Sequence, residues 1–566
     1  MRAAGDRGET TDSSHARAVP SARDVYRDQL GAALTAILGV FIFFFHLGAY
    51  GLWEPDEARY AEIAREMLVL RDLIVPQLDF VPYIEKPPLL YWLTALSMQL
   101  FGVNEFAARF VNAAAALAGL LAIYSFALRA YDRRHALCAA IILATSALYA
   151  LMAQVLTTDM LLTTTVTVAL FAFFLHWRDG GRWCWFAYVA MGLAVLTKGP
   201  IGIAIPVATV TLFLTLERDW RGALRRFHVV TGFALTTAIV APWFIAIALR
   251  QPDFVRFYFI GEHLQRFFEA GYSHGQPFYY YGPVLIGGAM PWSLVAFFVP
   301  WRSLQPDPAR RFCLIATATI VFIFSAANAK LIPYILPAMP PVAVLLADGI
   351  LTLATRSRRL AVCGPLLSLV GLGIIAAAAF ADRFASANPA MVQPELYAAG
   401  AIMLATGLAI FAFFSRQQFV AGMLAIAIGS IAVLTVASYG RLRMESARSY
   451  AALARAIAVR APDAQLICYP RYIQSLPFYT RRRVILIGPR TELDYGSSHA
   501  PDAPAFFFSR SADLLRLWSS NPPPLLIIDR WALPPLLNRL GRYQVIASDT
   551  KKLAIMRAPS SASVAR

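Results

Sequence analysis

Charge and cysteine are both scarce in this chain. Only 15% of its 566 residues are Asp, Glu, Lys or Arg, while 58% are hydrophobic, too little charge to cover a soluble fold of this size. Acids are the rarer sign, 34 against 51 bases, for a net charge of +17. The five cysteines exclude a disulfide scaffold: Cys138, Cys184, Cys313 and Cys363 lie in or beside apolar runs and Cys468 stands alone. No cluster has zinc-ribbon spacing. Internal repeats, heptads and a phosphate-cradling glycine loop are also lacking, which removes solenoids, coiled coils and nucleotide sites. Neither a nucleotide nor a nucleic acid is expected as a ligand.

What the chain has instead is apolar runs long enough to cross a bilayer. Thirteen spans are predicted, near 30–50, 107–128, 136–152, 158–176, 184–197, 200–216, 229–248, 283–300, 312–328, 332–351, 361–381, 396–414 and 419–438. Pro200 interrupts one apolar block and makes the 184–197/200–216 pair the least secure. Residues 1–29 are polar, and the span after them has no small-residue cleavage site, so it reads as an uncleaved anchor.

The short loops set the orientation. With the N-terminus cytoplasmic, one set carries sixteen Lys/Arg, from Arg129 to Arg416, and the other only Lys198, Lys330 and Arg383. The long loops at about 51–106 and 249–282 then face outward, as does everything after about 440. The tail 441–566 loses apolar density and shows short β-rich runs at 465–469, 483–487, 524–528 and 553–556. Helices are expected at Ser446–Val459 and Ser511–Trp518. A small outward α/β domain follows, with nineteen Lys/Arg against eight Asp/Glu. Its densest basic cluster is Arg481-Arg482-Arg483; an anionic partner, acidic lipid attraction and a solvated charge run all fit it.

Trp53-Glu54-Pro55-Asp56-Glu57-Ala58-Arg59-Tyr60 follows the first span directly. Pro55 suits a first helical turn, and Asp56 and Glu57 favour its positive end. Tyr60, Ile63, Ala64, Met67 and Leu68 recur at helical spacing while Glu57, Glu62, Arg65 and Glu66 fall off that stripe, so this helix should lie in the interface plane. Other ionisable residues gather at the outward mouths: Glu85-Lys86-Pro87-Pro88, Thr158-Asp159, Lys198-Gly199-Pro200, Glu262-His263-Leu264 with Arg266, and Lys330 to Tyr334. Such residues at membrane depth are costly and mark function. Each also has an ordinary reading: Asp159 as a helix cap, Glu85 and Lys86 as a surface pair, His263 as structural, Tyr279–Tyr281 as an aromatic belt, Lys198 as a snorkelling side chain.

As a set, these pieces resemble the aminoarabinose transferase family, within the dolichyl-phosphate-mannose/protein mannosyltransferase type of GT-C glycosyltransferase. The matching residues are the run 56–61, Glu85 to Leu89, Thr158-Asp159, Lys198 to Pro200, Glu262 to Leu264 with Arg266, and Lys330 to Pro337. The resemblance implies a GT-C membrane fold with a C-terminal periplasmic α/β domain, in a monomer of the bacterial inner membrane. It implies a donor of 4-amino-4-deoxy-L-arabinose on undecaprenyl phosphate and a lipid A phosphate as acceptor. Asp56 would be the catalytic carboxylate with Glu57 beside it; Arg59, Lys86 and Arg266 would hold the donor phosphate. Glu85, Asp159 and His263 would form a divalent-metal site whose ligand chemistry suits zinc. Tyr334 would contact the lipid phosphate.

A phosphate acceptor is already mostly ionised near neutral pH, its second pKa being about 6. Asp56 then orients the acceptor or balances charge on the sugar; a hydroxyl acceptor would instead require a general base. The rival readings are a transferase for a protein or another glycolipid, and a lipid or sugar transporter. The transporter requires mid-span charges and inverted repeats.

Overall fold

The computed structural model describes residues 21–265, 275–299, 301, 307–380 and 388–558. Among them nine helices are long and apolar enough to cross a membrane: Arg23–Phe44, Glu105–Ala130, Thr158–Asp179, Val229–Arg250, Pro308–Ala326, Ile332–Thr352, Ser357–Ala379, Gln393–Ser415 and Phe419–Arg443. Three shorter apolar helices, Leu89–Phe101, Trp183–Lys198 and Ile201–Leu216, accompany them. The apolar block around Pro200 does split, because Gly199 ends one helix at φ 81° and Pro200 precedes the next.

Two of the predicted spans are not continuous helices. The run 136–152 divides into Arg133–Thr145 and Ala147–Met152, and 283–300 contains Tyr281–Gly288 and Trp292–Ala296. The breaks meet each other. The Ala147 N–H donates to the Met290 carbonyl at 3.3 Å, and the Trp292 indole N–H to Thr145 Oγ1 at 2.9 Å. Groups released by each break are thus satisfied by the other, which a membrane interior demands.

The first loop folds into three pieces. Helix Asp56–Leu70 leads to a hairpin of β1 (Gln77–Leu78) and β2 (Val81–Pro82), and then to helix Leu89–Phe101. Pro55 is the residue before the first helix rather than within it. Tyr60, Ile63, Ala64 and Met67 of the apolar stripe are buried and Leu68 is half-buried, but Glu57, Glu62, Arg65 and Glu66 are buried too. The expected water-facing polar side is therefore corrected: Glu57 is buried against Arg109, Glu66 accepts the Phe80 N–H, and Glu62 and Arg65, beside the C-terminal domain, satisfy each other through two bonds of 2.7 and 2.6 Å.

That domain carries six strands, β3 (Leu466–Tyr469), β4 (Val484–Ile487), β5 (Phe507–Phe508), β6 (Leu525–Asp529), β7 (Tyr543–Ser548) and β8 (Lys552–Arg557), in the order β5-β4-β3-β6-β8-β7. The β5-β4-β3-β6 part is parallel; β8 pairs antiparallel with β6, and β7 antiparallel with β8. The β3, β4 and β6 runs are almost wholly buried because helices cover both faces. The expected helix 446–459 begins later, at Ala451, after a separate turn Glu445–Arg448.

Docking onto the first loop uses backbone groups. The Glu54 carboxylate accepts the N–H groups of Gln474 and Ser475 at 3.0 and 2.8 Å. Tyr479 Oη accepts the Leu52 N–H, and Asp79 accepts the Val484 N–H at 3.0 Å. The arginine cluster is spent on structure. Arg481 donates to the Val103 carbonyl, Arg482 to those of Ala461 and Ala464, and Arg483 pairs with Asp502 over the Phe506 ring.

Candidate active site

Asp56 opens its helix with a half-exposed side chain and pairs with Arg59 one turn later. Glu57 points elsewhere. Successive helical residues are turned by about 100° (3.6 per turn), and Glu57 is buried against helix Glu105–Ala130. Its Oε1 accepts Arg109 Nε at 2.9 Å and the Leu156 N–H at 3.0 Å; its Oε2 accepts Arg109 Nη2 at 2.8 Å and the Trp53 N–H at 3.0 Å. Burial raises the Glu57 carboxyl, but the Arg109 charge and these hydrogen bonds outweigh it and hold it below its ordinary value. Arg109 also donates to the carbonyls of Leu47, Tyr50 and Gly51 and lies 3.9 Å from the Tyr50 ring centroid. Together they tie the end of the first span, the start of the Asp56 helix and the approach to Asp159 into one joint.

Asp159 sits in the first turn of Thr158–Asp179, where Thr157 takes the capping position. Its Oδ1 is 2.5 Å from Lys198 Nζ, and that ammonium stands 4.0 Å from the Tyr334 ring centroid. Lys198 thus joins three segments. The sequence offered it only as a motif residue or a snorkelling side chain.

Aromatic rings bind these charges together. Arg59 lies over Tyr60 and Tyr83, at 5.4 and 5.9 Å from their centroids, and Tyr60 packs against Tyr91. Glu85 accepts the Tyr83 hydroxyl at 2.8 Å. Tyr60 feels the charges of Arg59, Asp56, Asp159 and Glu85, and Lys198 feels that of Asp56. Asp56, Arg59, Glu85, Asp159, Lys198 and Tyr334 therefore converge on one mouth. Burial pushes the Tyr83 phenol well above its ordinary value, keeping it a neutral donor to Glu85. Lys86 adjoins this wall, half-buried.

The second long loop enters through Arg256–Gln265, whose backbone winds wider than an α-helix, a feature often found at functional sites. The side chain of His263 and all of Arg266 lie outside the described residues. Lys330, part of the matching motif, is buried and donates to the carbonyls of Gln276 and Ala327 at 3.0 and 2.6 Å, a structural role.

Among the described residues no three His, Cys, Asp or Glu side chains are grouped to hold a metal ion. The proposed ligand Asp159 is neutralised by Lys198, whose ammonium occupies the place a cation would take. The expected centre of Glu85, Asp159 and His263 includes a side chain that lies outside the described residues. Arg109 is a different kind of miss. It lies inside a predicted span, and a charge at that depth is itself the signal.

Comparison with known proteins gives this geometry its relatives. Residues 85–245 match the dolichyl-phosphate-mannose-protein mannosyltransferase family, and residues 453–557 match the aminoarabinose transferase C-terminal domain. An undecaprenyl phosphate-α-4-amino-4-deoxy-L-arabinose arabinosyl transferase of Shewanella sediminis is 30% identical over 82% of this chain and 87% of its own. Its counterpart in Erwinia tasmaniensis is 33% identical over 62% of this chain, a match spanning 64% of the relative's length. The crystal structure of ArnT from Cupriavidus metallidurans bound to undecaprenyl phosphate superposes with a TM-score of 0.83 at 25% identity, over 93% of this chain and 98% of that one. The chain belongs to the undecaprenyl phosphate-α-4-amino-4-deoxy-L-arabinose arabinosyl transferase family and is a membrane glycosyltransferase of the GT-C fold.

Proposed function

We propose that this chain moves 4-amino-4-deoxy-L-arabinose from undecaprenyl phosphate to a phosphate of lipid A, working as a monomer at the periplasmic face of the bacterial inner membrane. The observation that carries this reading is the convergence of Asp56, Arg59, Asp159, Lys198 and Tyr334 at one mouth, in a chain of this family. Arg59 Nε is buried with no hydrogen-bond partner among the described residues, a donor suited to a phosphate oxygen.

In the proposed reaction an acceptor phosphate oxygen attacks the anomeric carbon of the donor sugar. The bond from that carbon to the undecaprenyl phosphate oxygen breaks, and its electron pair stays on the departing phosphate. Arg59, Lys86 and Arg266 take up the growing phosphate charge, and Lys198 holds Tyr334 against the same group. Asp56 balances positive charge on the sugar and orients the acceptor. Glu57 works at one remove, fixing the turn from which Asp56 projects. The acceptor is already an anion, so no proton need be removed from it. Net positive loops on one side and the long first loop on the other support the periplasmic placement.

Lipid A mass spectrometry tests this reading, in a strain that makes the donor but lacks its own transferase. Wild-type protein should add the mass of one aminoarabinose, and Asp56→Asn, expressed to the same level, should add none. Unmodified lipid A from well-expressed wild type would move the assignment to a transferase for another acceptor.

A further inference from the structure

The C-terminal sheet has a topological switch that nothing in the transfer chemistry uses. From β3 the chain runs outward to β4 and β5, then returns to place β6 on the other side of β3. In open α/β sheets, ligands bind beyond the carboxyl ends of the strands at such a point. Here those ends carry Pro470-Arg471 after β3 and Arg530-Trp531 after β6, with Lys551 entering β8 beside them. This end of the sheet meets the first loop, where Glu54, two residues before Asp56, holds the backbone of Gln474 and Ser475; it also meets the turn Glu445–Arg448, where Lys551 Nζ donates to the Ala447 carbonyl at 2.8 Å.

The side chains at this point are arranged for a ligand rather than for packing. Trp531 is 64% exposed, a costly state for the largest apolar side chain. The exposed Arg471 guanidinium lies 5.9 Å from its ring centroid and makes no hydrogen bond or ion pair among the described residues. On the segments that meet here, Gln474 Oε1, Asp529 Oδ2 and Asp549 Oδ2 are buried without a hydrogen-bond partner among the described residues. Charge favours an anion. Asp529 is neutralised by Lys552 at 2.8 Å, and the Asp549 carboxylate caps the N–H groups of Lys551 and Lys552, leaving Arg471, Arg530 and Lys551 in excess.

We infer that this switch point is a binding site for a phosphorylated saccharide, and that it holds the sugar headgroup of the acceptor while the acceptor's phosphate is glycosylated beside Asp56. The Trp531 face receives the C–H face of a pyranose ring, Arg471 and Arg530 receive phosphate, and the unpartnered oxygens accept sugar hydroxyls. This rests on the proposed function above, deepening its acceptor side: it explains why a basic domain is docked so firmly beside the catalytic loop.

The test uses the full-length protein in nanodiscs, with Trp531→Ala, Arg471→Gln and the conservative Trp531→Phe. Binding of the phosphorylated lipid A disaccharide, without acyl chains, is measured calorimetrically, and transfer kinetics are measured with lipid A at saturating donor. Each non-conservative variant should weaken disaccharide binding and raise the lipid A KM by about fivefold, the size of one cation–π or stacking contact, with kcat and the donor KM retained. Trp531→Phe should recover most of the loss. Unaltered binding and KM in both variants, with active wild type, would overturn the inference. So would a defect that vanishes when anionic phospholipid is replaced by phosphatidylcholine, which would make these side chains a membrane contact. If wild type binds the disaccharide through Trp531 yet transfers nothing to lipid A, the functional reading fails and the binding site stands.

Discussion

Glu57 and Arg109 form an ion pair with almost no exposure, one residue away from Asp56, and every oxygen and nitrogen of the pair is bonded within the protein. Adjacent acids in the sequence thus have separate work, one at the mouth and one in the joint behind it.

Breaking that pair should injure the fold before the chemistry. Glu57→Gln leaves the Arg109 charge buried and uncompensated, a loss of about 3–5 kcal/mol. The melting temperature in detergent should fall clearly, whereas Asp56→Asn, whose side chain is half-exposed, should melt like wild type while losing transfer. Equal melting of both variants would place Glu57 outside the structural joint.

Asp159 and Lys198 pose the complementary case, a pair at the site itself. Lys198→Met should cut transfer by at least about tenfold, since Tyr334 loses the ammonium above its ring and the site loses a cation worth roughly 1–3 kcal/mol. Adding Asp159→Asn should restore thermal stability, because no buried charge is then left alone, but not activity. Recovery of activity in the double variant, measured with the same donor and acceptor, would reduce the pair to scaffolding.

Legibility followed chemistry of local origin. Hydropathy located the long helices because each is written in one continuous segment, and the β3, β4 and β6 runs were readable from their short apolar, β-rich stretches. The breaks at Ser146 and Pro291 were not readable as a pair, since the bonds that join them, Ala147 to Met290 and Trp292 to Thr145, link residues about 145 apart in the chain. Asp56 and Glu57 looked like twins because sequence adjacency hides helical rotation. The polar side of helix Asp56–Leu70 looked solvated because its surroundings, Arg109 and the C-terminal domain some 400 residues later, lie elsewhere in the chain.

Glu54 should govern that arrival. Glu54→Ala removes the acceptors of two N–H groups at the docking joint, each costing roughly 1–3 kcal/mol when left unpaired. Limited proteolysis should then cut the linker around 444–450 much faster than in wild type, and transfer should fall with it. Unchanged cleavage would mean the domain is held by its other contacts alone.

The same interface should respond to pH through Asp79. Burial pushes its carboxyl up to about 7, against the Val484 N–H and the nearby Arg483 charge, which pull it down. Beside it Glu66 accepts the Phe80 N–H at 2.9 Å, and burial with the charges of Glu62 and Asp79 raises it well above its ordinary value. The unfolded chain releases the Asp79 proton near pH ~3.9, so between there and about 7 only the folded state keeps it. Its contribution is therefore complete below the unfolded value and is lost as pH rises through the folded one. The melting temperature of wild type should decline from pH 5 to pH 8, and Asp79→Asn should flatten that decline. Asparagine is a fair probe: it can still accept the Val484 N–H, and it tolerates the φ of 55° that residue 79 adopts in the β1–β2 turn. A slope identical in the two proteins would show that Asp79 is ionised in both the folded and unfolded chain across this range.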